Sequence, residues 1–192
     1  MNNKIKTIIA ILLFAAFLTG AYFAFIYLSK TVDSPDNPAG KQDETAQSGE
    51  QRNEEKAPDF TVFDAGDNEI KLSELFGKPI VLNIWASWCP PCKAELPDFN
   101  NVYEEMGETV TFMMVDLVDG SRETKQTGEK YIAEQGFTFP VYYDTKQEAG
   151  LVYSVTSIPT TVFIDKDGYI IKKLIGQIDE KTLRDGIDLI LN

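Results

Sequence analysis

The chain has 192 residues, 43% of them apolar, which is enough for one ordinary domain with appended segments. Its formal net charge is −12, and it contains no histidine. Because nucleic acids and anionic membrane surfaces repel a protein of this charge, neither is expected to bind its surface.

Residues 1–28 are predicted to form an N-terminal transmembrane anchor. The run Thr7–Leu28 contains no charged residue and is long enough to span a bilayer as a helix. Lys4 and Lys6 precede it, and lysines favour the cytoplasmic side, so the rest of the chain is expected outside the cytoplasm. A cleaved signal peptide is the alternative, but its apolar core is shorter, about 7–15 residues, and a small-x-small site should follow it.

The next segment, residues 29–56, is rich in Asp, Glu, Gln, Asn, Ser, Gly and Pro and has scarcely any large apolar side chain. Such a segment cannot bury enough apolar surface to offset the entropy that folding costs. It is therefore predicted to be a flexible polar linker. The remaining residues, 57–192, are predicted to fold as one domain.

Apolar runs and turn-forming residues predict strands and helices in alternation along this domain, which indicates βαβ units and a sheet covered by helices on both faces. Ser73 is predicted to cap a short turn at Glu74–Phe76. The strands are predicted at Thr61–Phe63, Ile70–Leu72, Pro79–Ala86, Val110–Leu117, Phe139–Tyr143, Thr160–Asp165 and Tyr169–Ile175. The helices are predicted at Pro91–Met106, Arg122–Gln135, Gln147–Tyr153 and Glu180–Leu191. In the last helix one apolar face is predicted, made of Leu183, Ile187, Ile190 and Leu191.

Both cysteines lie in the segment Trp88-Cys89-Pro90-Pro91-Cys92, where an apolar strand ends and a helix begins. A helix N-terminus offers unpaired N–H groups and a partial positive charge, which favour a thiolate at Cys89. Cys92, three positions later and less accessible, can release a mixed disulfide by forming the intramolecular disulfide. The pattern predicts Cys89 as the attacking sulfur and Cys92 as the resolving sulfur.

Two other uses of a Cys-x-x-Cys pair are less consistent with this sequence. A zinc site needs about four nitrogen or sulfur ligands, and the chain has no histidine and no further cysteine. An inert structural disulfide stays open, although a pair this close in sequence closes a small loop and removes little entropy from the unfolded chain.

Segments around and beyond the cysteines resemble motifs of the thioredoxin superfamily. Trp85-Ala86-Ser87-Trp88-Cys89-Pro90-Pro91-Cys92 is similar to its active-site segment. Ser157-Ile158-Pro159-Thr160-Thr161-Val162-Phe163-Ile164-Asp165, followed by Asp167-Gly168, is similar to its cis-proline loop and the hairpin after it. The opening Ala57-Pro58-Asp59-Phe60, the segment Leu72-Ser73-Glu74-Leu75 and the predicted anchor resemble the membrane-anchored TlpA-like (ResA-like) thiol-disulfide oxidoreductases. The resemblance covers essentially all of residues 57–192.

The resemblance implies a thioredoxin-like α/β fold, in which a central mixed sheet is flanked by helices and carries an extra N-terminal β-hairpin and a βα insertion. It also implies a cis peptide bond between Ile158 and Pro159. Because Pro159 has no N–H, the backbone of Ile158 is expected to pair with an extended segment of a partner beside Cys89. Trp88 is expected to shield Cys89 and contact the partner. Gly176 resembles the glycine of a loop that completes the docking groove, with an ordinary strand-ending glycine as the alternative.

Two positions near the cysteines are informative about proton transfer. Asn83 stands where cytosolic thioredoxin has a buried aspartate, and an amide cannot shuttle a proton. Glu95 matches the glutamate that follows the second cysteine in ResA-like proteins and lies three residues after Cys92, on the same helical face. A carboxylate there is expected to accept the proton of Cys92 as this thiol attacks the mixed disulfide. A solvent-facing helix residue is the alternative for Glu95, and Trp85 and Asn83 are expected to pack behind the site.

For the activity, the resemblance implies thiol-disulfide exchange at Cys89 and Cys92 outside the cytoplasm, with no cofactor. Pro90 and Pro91 have no N–H to give to either sulfur, so the thiolate is less stabilised and the pair is expected to act as a reductant. A disulfide-forming oxidase is the alternative direction of electron flow.

The implied partners are exported proteins with disulfides, such as apocytochrome c or oxidised methionine sulfoxide reductase. A membrane protein of the CcdA or DsbD type would supply the electrons, and the protein is expected to be a monomer. Two functions of other classes fit less well. A thiol peroxidase should carry Pro-x-x-x-Thr-x-x-Cys, whereas Ser87-Trp88 precede Cys89 here, and a copper or zinc chaperone should add a histidine ligand.

Overall fold

The computed structural model describes residues 18, 19, 22 and 55–191 of the chain. Most of the predicted anchor and of the predicted linker lies outside these residues, so the boundaries 1–28, 29–56 and 57–192 stay predictions. None of the helices within the described part is long and apolar enough to cross a membrane.

A mixed sheet of seven strands forms the centre of the described domain. Its strands are β1 (Thr61–Phe63), β2 (Glu69–Lys71), β3 (Ile80–Trp85), β4 (Thr111–Asp116), β5 (Val141–Tyr143), β6 (Thr160–Ile164) and β7 (Ile170–Ile175). In spatial order they run β2-β1-β5-β4-β3-β6-β7. Strands β3, β4 and β5 are parallel to one another, whereas the pairs β1–β2, β1–β5, β3–β6 and β6–β7 are antiparallel.

The predicted thioredoxin-like fold is confirmed by the helices and their connections. Strands β1 and β2 form the extra N-terminal hairpin, and β5 with the helix Glu148–Val152 forms the βα insertion before the final hairpin of β6 and β7. Strand β5 lies between β4 and β1 and so joins the N-terminal hairpin to the rest of the sheet. The helices are α1 (Pro90–Met106), α2 (Lys125–Gln135), α3 (Glu148–Val152), α4 (Glu180–Leu191) and the 3-10 helix Leu72–Leu75.

The alternation of side chains along β3 creates two hydrophobic cores. Val81 and Trp85 pack in the core that includes residues of α1, α2 and α4, whereas Leu82 and Ile84 pack in the core that includes α3 and the 3-10 helix. All six residues of β3 are buried, as expected for a central strand with both faces covered. Because Asn83 is in phase with Val81 and Trp85, it brings a polar group into the core behind α1.

Helix α2 begins three residues later than the predicted helix Arg122–Gln135. The side chain of Thr124 caps it, since its Oγ1 accepts the backbone N–H of Thr127 at 3.2 Å. Before this cap one side chain, Asp119, accepts three backbone N–H groups at 2.7–3.0 Å, those of Ser121, Arg122 and Glu123. Such local hydrogen bonds compete with helix formation, and apolar periodicity carries no sign of them. The other predicted strands and helices agree with the structure to within two residues at each end.

The predicted second strand, Ile70–Leu72, ends at Lys71 because Leu72 starts the 3-10 helix and is fully buried. The prediction that Ser73 caps a turn here is wrong. Instead, Asp59 accepts the backbone N–H of Ser73 at 3.0 Å and its hydroxyl at 2.8 Å. An acidic residue at the opening of the domain therefore holds the start of this helix.

Helix α4 packs on the sheet through the apolar face that its sequence predicts, with one exception. Leu183, Ile187 and Ile190 are buried, but Leu191 is 41% exposed. At about 100° per residue, Leu191 lies about 80° around the helix from Leu183, at the edge of the apolar stripe. It is also the last residue of α4. The prediction that Leu191 belongs to the buried face is therefore wrong.

Shortening Ile187 to alanine is expected to lower the free energy of unfolding by about 2–5 kcal/mol, because the change leaves a cavity in the core under α4. Leu191→Ala is the matched control and is expected to lower the free energy of unfolding by clearly less, because its side chain is partly exposed at the end of α4. Urea denaturation of both variants measures the two values. Equal losses would contradict the orientation of α4.

Candidate active site

Helix α1 starts beyond the end of β3, and Cys89 occupies its N-cap position. Pro90 and Pro91 begin the first turn. Proline is tolerated there because the backbone N–H groups of a first turn have no acceptor within the helix. Cys89 Sγ accepts the backbone N–H of Cys92 at 3.2 Å, as a side-chain oxygen does in an ordinary cap. The two cysteines form a disulfide with their Cα atoms 5.3 Å apart. Cys89 is 2% exposed and Cys92 is fully buried, so of the two sulfurs that of Cys89 borders the surface.

The loop before β6 lies against this disulfide. The peptide bond between Ile158 and Pro159 is cis, as the resemblance implied. The carbonyl oxygen of Ile158 lies 3.6 Å from Cys89 Sγ. The backbone N–H of Gly176 donates to the carbonyl oxygen of Pro159 at 2.8 Å, and Gly176 has φ 94°, a conformation that favours glycine. The structure thus brings Ile158, Pro159 and Gly176 together beside Cys89.

Trp88 stands at the surface, one residue before Cys89, and is 39% exposed. The guanidinium of Arg122 lies 4.0 Å from the centroid of its ring, within the range of a cation–π contact. Next to Trp88 a recess of about 270 Å³ opens between the loop after β4 and the region of α3. Its lining includes Leu117, Leu151 and Val155. A partner that reaches Cys89 therefore finds a largely apolar recess on the Trp88 side.

Glu95 is fully buried, which excludes the alternative that it is a solvent-facing helix residue. Its Oε1 accepts the side-chain N–H of Asn83 at 2.8 Å, and its Oε2 accepts the backbone N–H of Ile178 at 2.9 Å. Burial raises the pKa of Glu95 to about 7, although these two hydrogen bonds act against the rise. Near neutral pH the carboxyl group is therefore divided between its charged and neutral forms, which suits a group that takes and returns protons.

Asn83 holds Glu95 as well as packing behind the site. Its side-chain nitrogen donates to Glu95 and also, at 3.0 Å, to the hydroxyl of Thr161 on β6. Trp85 is fully buried, as expected. The contacts of Thr161 and Ile178 with this group were missed from the sequence, because they join strands and loops that lie far from α1 along the chain.

A second buried carboxyl group, also missed from the sequence, holds the segment before the disulfide. Glu123 is fully buried, and its Oε2 accepts the backbone N–H of Ser87 at 2.7 Å and the hydroxyl of Ser87 at 2.8 Å. Its Oε1 accepts the hydroxyl of Thr127 at 2.7 Å. The sequence predicted Glu123 as part of the helix Arg122–Gln135, so its apolar pattern gave no indication of a contact with Ser87.

The arrangement has the parts that thiol-disulfide exchange requires. A sulfur at a helix N-terminus can attack or be attacked, a second sulfur one turn later can resolve the product, and a buried carboxyl group can carry a proton. Within residues 18, 19, 22 and 55–191 no group of three or more histidine, cysteine, aspartate or glutamate side chains is placed to hold a metal ion.

A family profile and two similar proteins match most of this chain. The profile described as the AhpC/TSA family matches residues 54–173. The thiol-disulfide oxidoreductase ResA of Bacillus subtilis (strain 168) is 33% identical over 135 residues, which are 70% of this chain and 73% of that protein. The protein of the same name from Bacillus thuringiensis (strain Al Hakam) is 34% identical over 129 residues, 67% of this chain and 72% of that protein.

Solved structures share the fold. The crystal structure of StoA from Bacillus subtilis has a TM-score of 0.59 and 31% identity, over 67% of this chain and 96% of that one. The pneumococcal exposed lipoprotein thioredoxin Etrx1 from Streptococcus pneumoniae strain TIGR4 has a TM-score of 0.60 and 27% identity, over 69% of this chain and 100% of that one. The chain therefore belongs to the AhpC/TSA family and, within it, is a ResA-like thiol-disulfide oxidoreductase with the thioredoxin fold.

Proposed function

We propose that the protein reduces disulfides of exported client proteins outside the cytoplasm, by dithiol exchange at Cys89 and Cys92. The observation that carries the proposal is the place of Cys89, a sulfur at the N-terminus of α1 that borders the surface and lies 3.6 Å from the carbonyl oxygen of Ile158. The ResA-like relatives support thiol-disulfide exchange as the reaction. The direction of electron flow and the location rest on the arguments below.

The exchange begins with the reduced protein. The Cys89 thiolate attacks one sulfur of the client disulfide, a new S–S bond joins Cys89 to the client, and the other client sulfur leaves and takes up a proton. The Cys92 thiol then loses its proton to Glu95, and its sulfur attacks that of Cys89. The Cys89–Cys92 bond forms, the mixed disulfide breaks, and the second client sulfur leaves with the proton that Glu95 accepted from Cys92. The client has then gained two electrons from the protein and one proton from Cys92. The proton on its first sulfur comes from the medium, which received the proton of Cys89 when the thiolate formed.

The groups around Cys89 suit the binding of an extended client segment. Ile158 presents its backbone beside the sulfur, and the exposed ring of Trp88 offers an apolar contact on the other flank. Apart from its two chain neighbours, no described residue comes within 4 Å of the position that a Cβ atom of Gly176 would take, so a client backbone can approach closely. We assign substrate binding to Trp88, Ile158, Pro159 and Gly176.

The proposed reducing direction is supported by how little the site stabilises a thiolate. Pro90 and Pro91 have no N–H, and the hydrogen bond to Cys89 Sγ comes from the backbone of Cys92. The carbonyl oxygen of Ile158 presents negative charge to the same sulfur, which opposes the thiolate. A poorly stabilised thiolate favours the disulfide, so the dithiol gives up its electrons readily. Since about 30 mV corresponds to 1.4 kcal/mol for this two-electron couple, one further hydrogen bond would shift the balance.

A reductase outside the cytoplasm needs electrons from inside the cell. The charge-free run Thr7–Leu28 is the proposed membrane anchor. A membrane protein with its own cysteine pair, of the CcdA or DsbD type, is the proposed electron donor, and apocytochrome c and oxidised methionine sulfoxide reductase are candidate clients. We propose that the protein works as a monomer.

The two cysteines are expected to fail in different ways when replaced. Cys89→Ser should abolish exchange, whereas Cys92→Ser should attack a client disulfide once and then stall as a mixed disulfide, because the resolving step is lost. Capture of clients in growing cells by the Cys92→Ser variant, followed by mass spectrometry, tests this. The double variant Cys89→Ser/Cys92→Ser is the control and should capture nothing. Equal alkylation rates of Cys89 and Cys92 in the reduced protein would overturn the assignment.

Glu95→Gln is expected to leave the attack by Cys89 nearly unchanged and to slow the release of the mixed disulfide by about 10–100-fold, because the base is removed. In the wild-type protein the release rate should fall as the pH drops through about 7, since the Glu95 carboxylate takes up a proton there. The defect of the variant should shrink as the pH rises, because hydroxide then deprotonates Cys92 directly.

Stopped-flow kinetics of the reduced protein with a peptide disulfide measures both steps. In the described part of the chain the side-chain oxygen of Asn83 has no hydrogen-bond partner, so its amide can turn to accept from the glutamine of this variant, which is expected to fold. Glu108→Gln, an exposed position after α1, is the matched control and should behave as wild type. An unchanged release rate at neutral pH would remove Glu95 from the mechanism.

The location and the direction can be tested together in intact cells. A membrane-impermeant maleimide is expected to label Cys89 without prior reduction, because the domain lies outside the cytoplasm and is kept reduced. The variant Cys89→Ser/Cys92→Ser and a cytoplasmic thiol protein are the controls and should stay unlabelled. Labelling only after the cells are lysed would contradict the location, and labelling only after an added reductant would favour a disulfide-forming oxidase.

A further inference from the structure

Two buried acids that the exchange steps do not use lie close to the active-site segment. Asp116 is the last residue of β4, Glu123 lies in the loop that follows, and both are fully buried. Both approach α2 at Gly128, where an added methyl group would overlap Asp116 Oδ2 and would lie 3.6 Å from Glu123 Oε1. The two carboxyl groups therefore share one enclosed space.

The two acids differ in their hydrogen bonds. Glu123 accepts from Ser87 and from Thr127 at 2.7–2.9 Å. Neither side-chain oxygen of Asp116 has a hydrogen-bond partner among the residues that the structure describes. A buried carboxylate without a partner is unfavourable, so such a group keeps its proton to a higher pH. Burial, and in second place the negative charge of Glu123, raises the pKa of Asp116 to about 8.

Of the described charged groups around Asp116, the carboxylate of Glu123 is the one that acts on it. Strand β3 presents Trp85 in register with Asp116, and β5 presents Tyr143 on the other side. Burial raises the pKa of the Tyr143 hydroxyl, which therefore stays neutral. The ammonium group of Lys125 lies 5.3 Å from the centroid of the Tyr143 ring and pairs with acids at the surface.

Glu123 and its neighbour Arg122 hold the active-site segment at two successive residues. Glu123 accepts two hydrogen bonds from Ser87, and Arg122 covers the ring of Trp88. Cys89 follows directly. A displacement of Glu123 is therefore passed to the reactive sulfur through two covalently linked residues.

We propose that Asp116 is a positioning residue for Cys89: in its neutral form it lets Glu123 hold Ser87, and its ionisation repels Glu123 and loosens the segment from Ser87 to Cys89. Exchange at Cys89 then slows in alkaline medium for a reason other than the titration of its own thiol. The inference concerns exchange itself and holds for either direction of electron flow, so it does not depend on the proposed reducing role.

The oxidised full-length protein in detergent allows a direct test, because disulfide-bonded cysteines do not titrate. The backbone N–H of Ser87 is followed by NMR between about pH 6 and pH 9.5, together with the carboxyl carbon of Asp116. Both signals are expected to move with one shared midpoint of about pH 8. Asp116→Asn should remove the step at Ser87, and Glu123→Gln should move the Asp116 midpoint to lower pH because the neighbouring charge is gone.

Asp144→Asn is the matched control. Asp144 is also fully buried and follows the adjacent strand β5, but it accepts the backbone N–H of Gly150 at 3.0 Å rather than one from the active-site segment. This variant should keep the step at Ser87. A Ser87 signal that stays flat while Asp116 titrates, a step that survives in Asp116→Asn, or an Asp116 carboxyl group that is already ionised at about pH 6 would each overturn the proposal.

Kinetics give a second readout on the reduced protein. The exchange rates of the wild-type protein and of Asp116→Asn are measured with the same small disulfide and expressed as the ratio of wild type to variant. This ratio is expected to be constant below about pH 7 and to fall by roughly two- to tenfold above about pH 8.5, because one buried charge is then added in the wild-type protein. A ratio that does not change with pH would mean that the acid pair has no influence on Cys89. Because the Asp116 carboxyl signal is measured in the unmodified protein, the proposal stays testable if a variant fails to fold.

Discussion

The placement of Cys89 at the N-cap of α1 is the constraint on which the rest of the site depends. A helix N-terminus leaves N–H groups without helical acceptors, and here one of them, from Cys92, faces a sulfur. Strand β3 holds the start of α1 in place, because it pairs along its whole length with β4 on one side and from Ile80 to Ile84 with β6 on the other. Since Thr160 at the start of β6 lies opposite Ile84 near the end of β3, the cis-proline loop meets the helix start at the disulfide.

The buried acids around this point are held in different ways, and this decides what each can do. Glu95 has two hydrogen-bond donors that partly offset its burial, so its pKa lies near neutral pH. Asp116 has none within the described part of the chain, and a second acid lies beside it, so its pKa lies higher. Folding must meet the cost of enclosing both groups, and proteins tolerate such a cost mainly at functional sites. We propose that Glu95 moves a proton and that Asp116 controls the position of a segment.

The βα insertion links the extent of the sheet to the shape of the active-site surface. Strand β5 lies between β4 and β1, so the N-terminal hairpin is joined to the central sheet through the insertion. Helix α3, which follows β5, supplies Leu151 to the recess beside Trp88, and Leu151 is itself 79% exposed. The loop from Leu117 to Glu123 forms the other wall of this recess and also reaches Ser87. A change in this loop would therefore affect both the surface beside Cys89 and the position of Cys89 itself.

The sequence by itself determined the order of strands and helices along the chain, because each element depends on signals within a few residues. The thioredoxin-like fold and the role of the cysteine pair were implied by the resemblance of several motifs to a known family. A near-continuous apolar run marks β3, and the helical pattern after it marks α1. The start of α2 was misplaced, since a single side chain, Asp119, holds the backbone before it. The burial of Glu95 was left open for a similar reason. Helical spacing puts this residue on the face of Cys92 but cannot say what covers that face.

Tertiary structure decided the surroundings of the reactive sulfur. The backbone N–H that Ile178 donates to Glu95 is 83 residues away along the chain. The hydrogen bond between Glu123 and Ser87 joins residues that are 36 positions apart. Such contacts form when separate strands and loops meet at one end of the sheet, and no local pattern records them. The charge-free run Thr7–Leu28 is the reverse case, since its length and composition alone carry the expectation of a membrane anchor. A bilayer selects for hydrophobic length in one segment, whereas a buried carboxyl group needs partners from several.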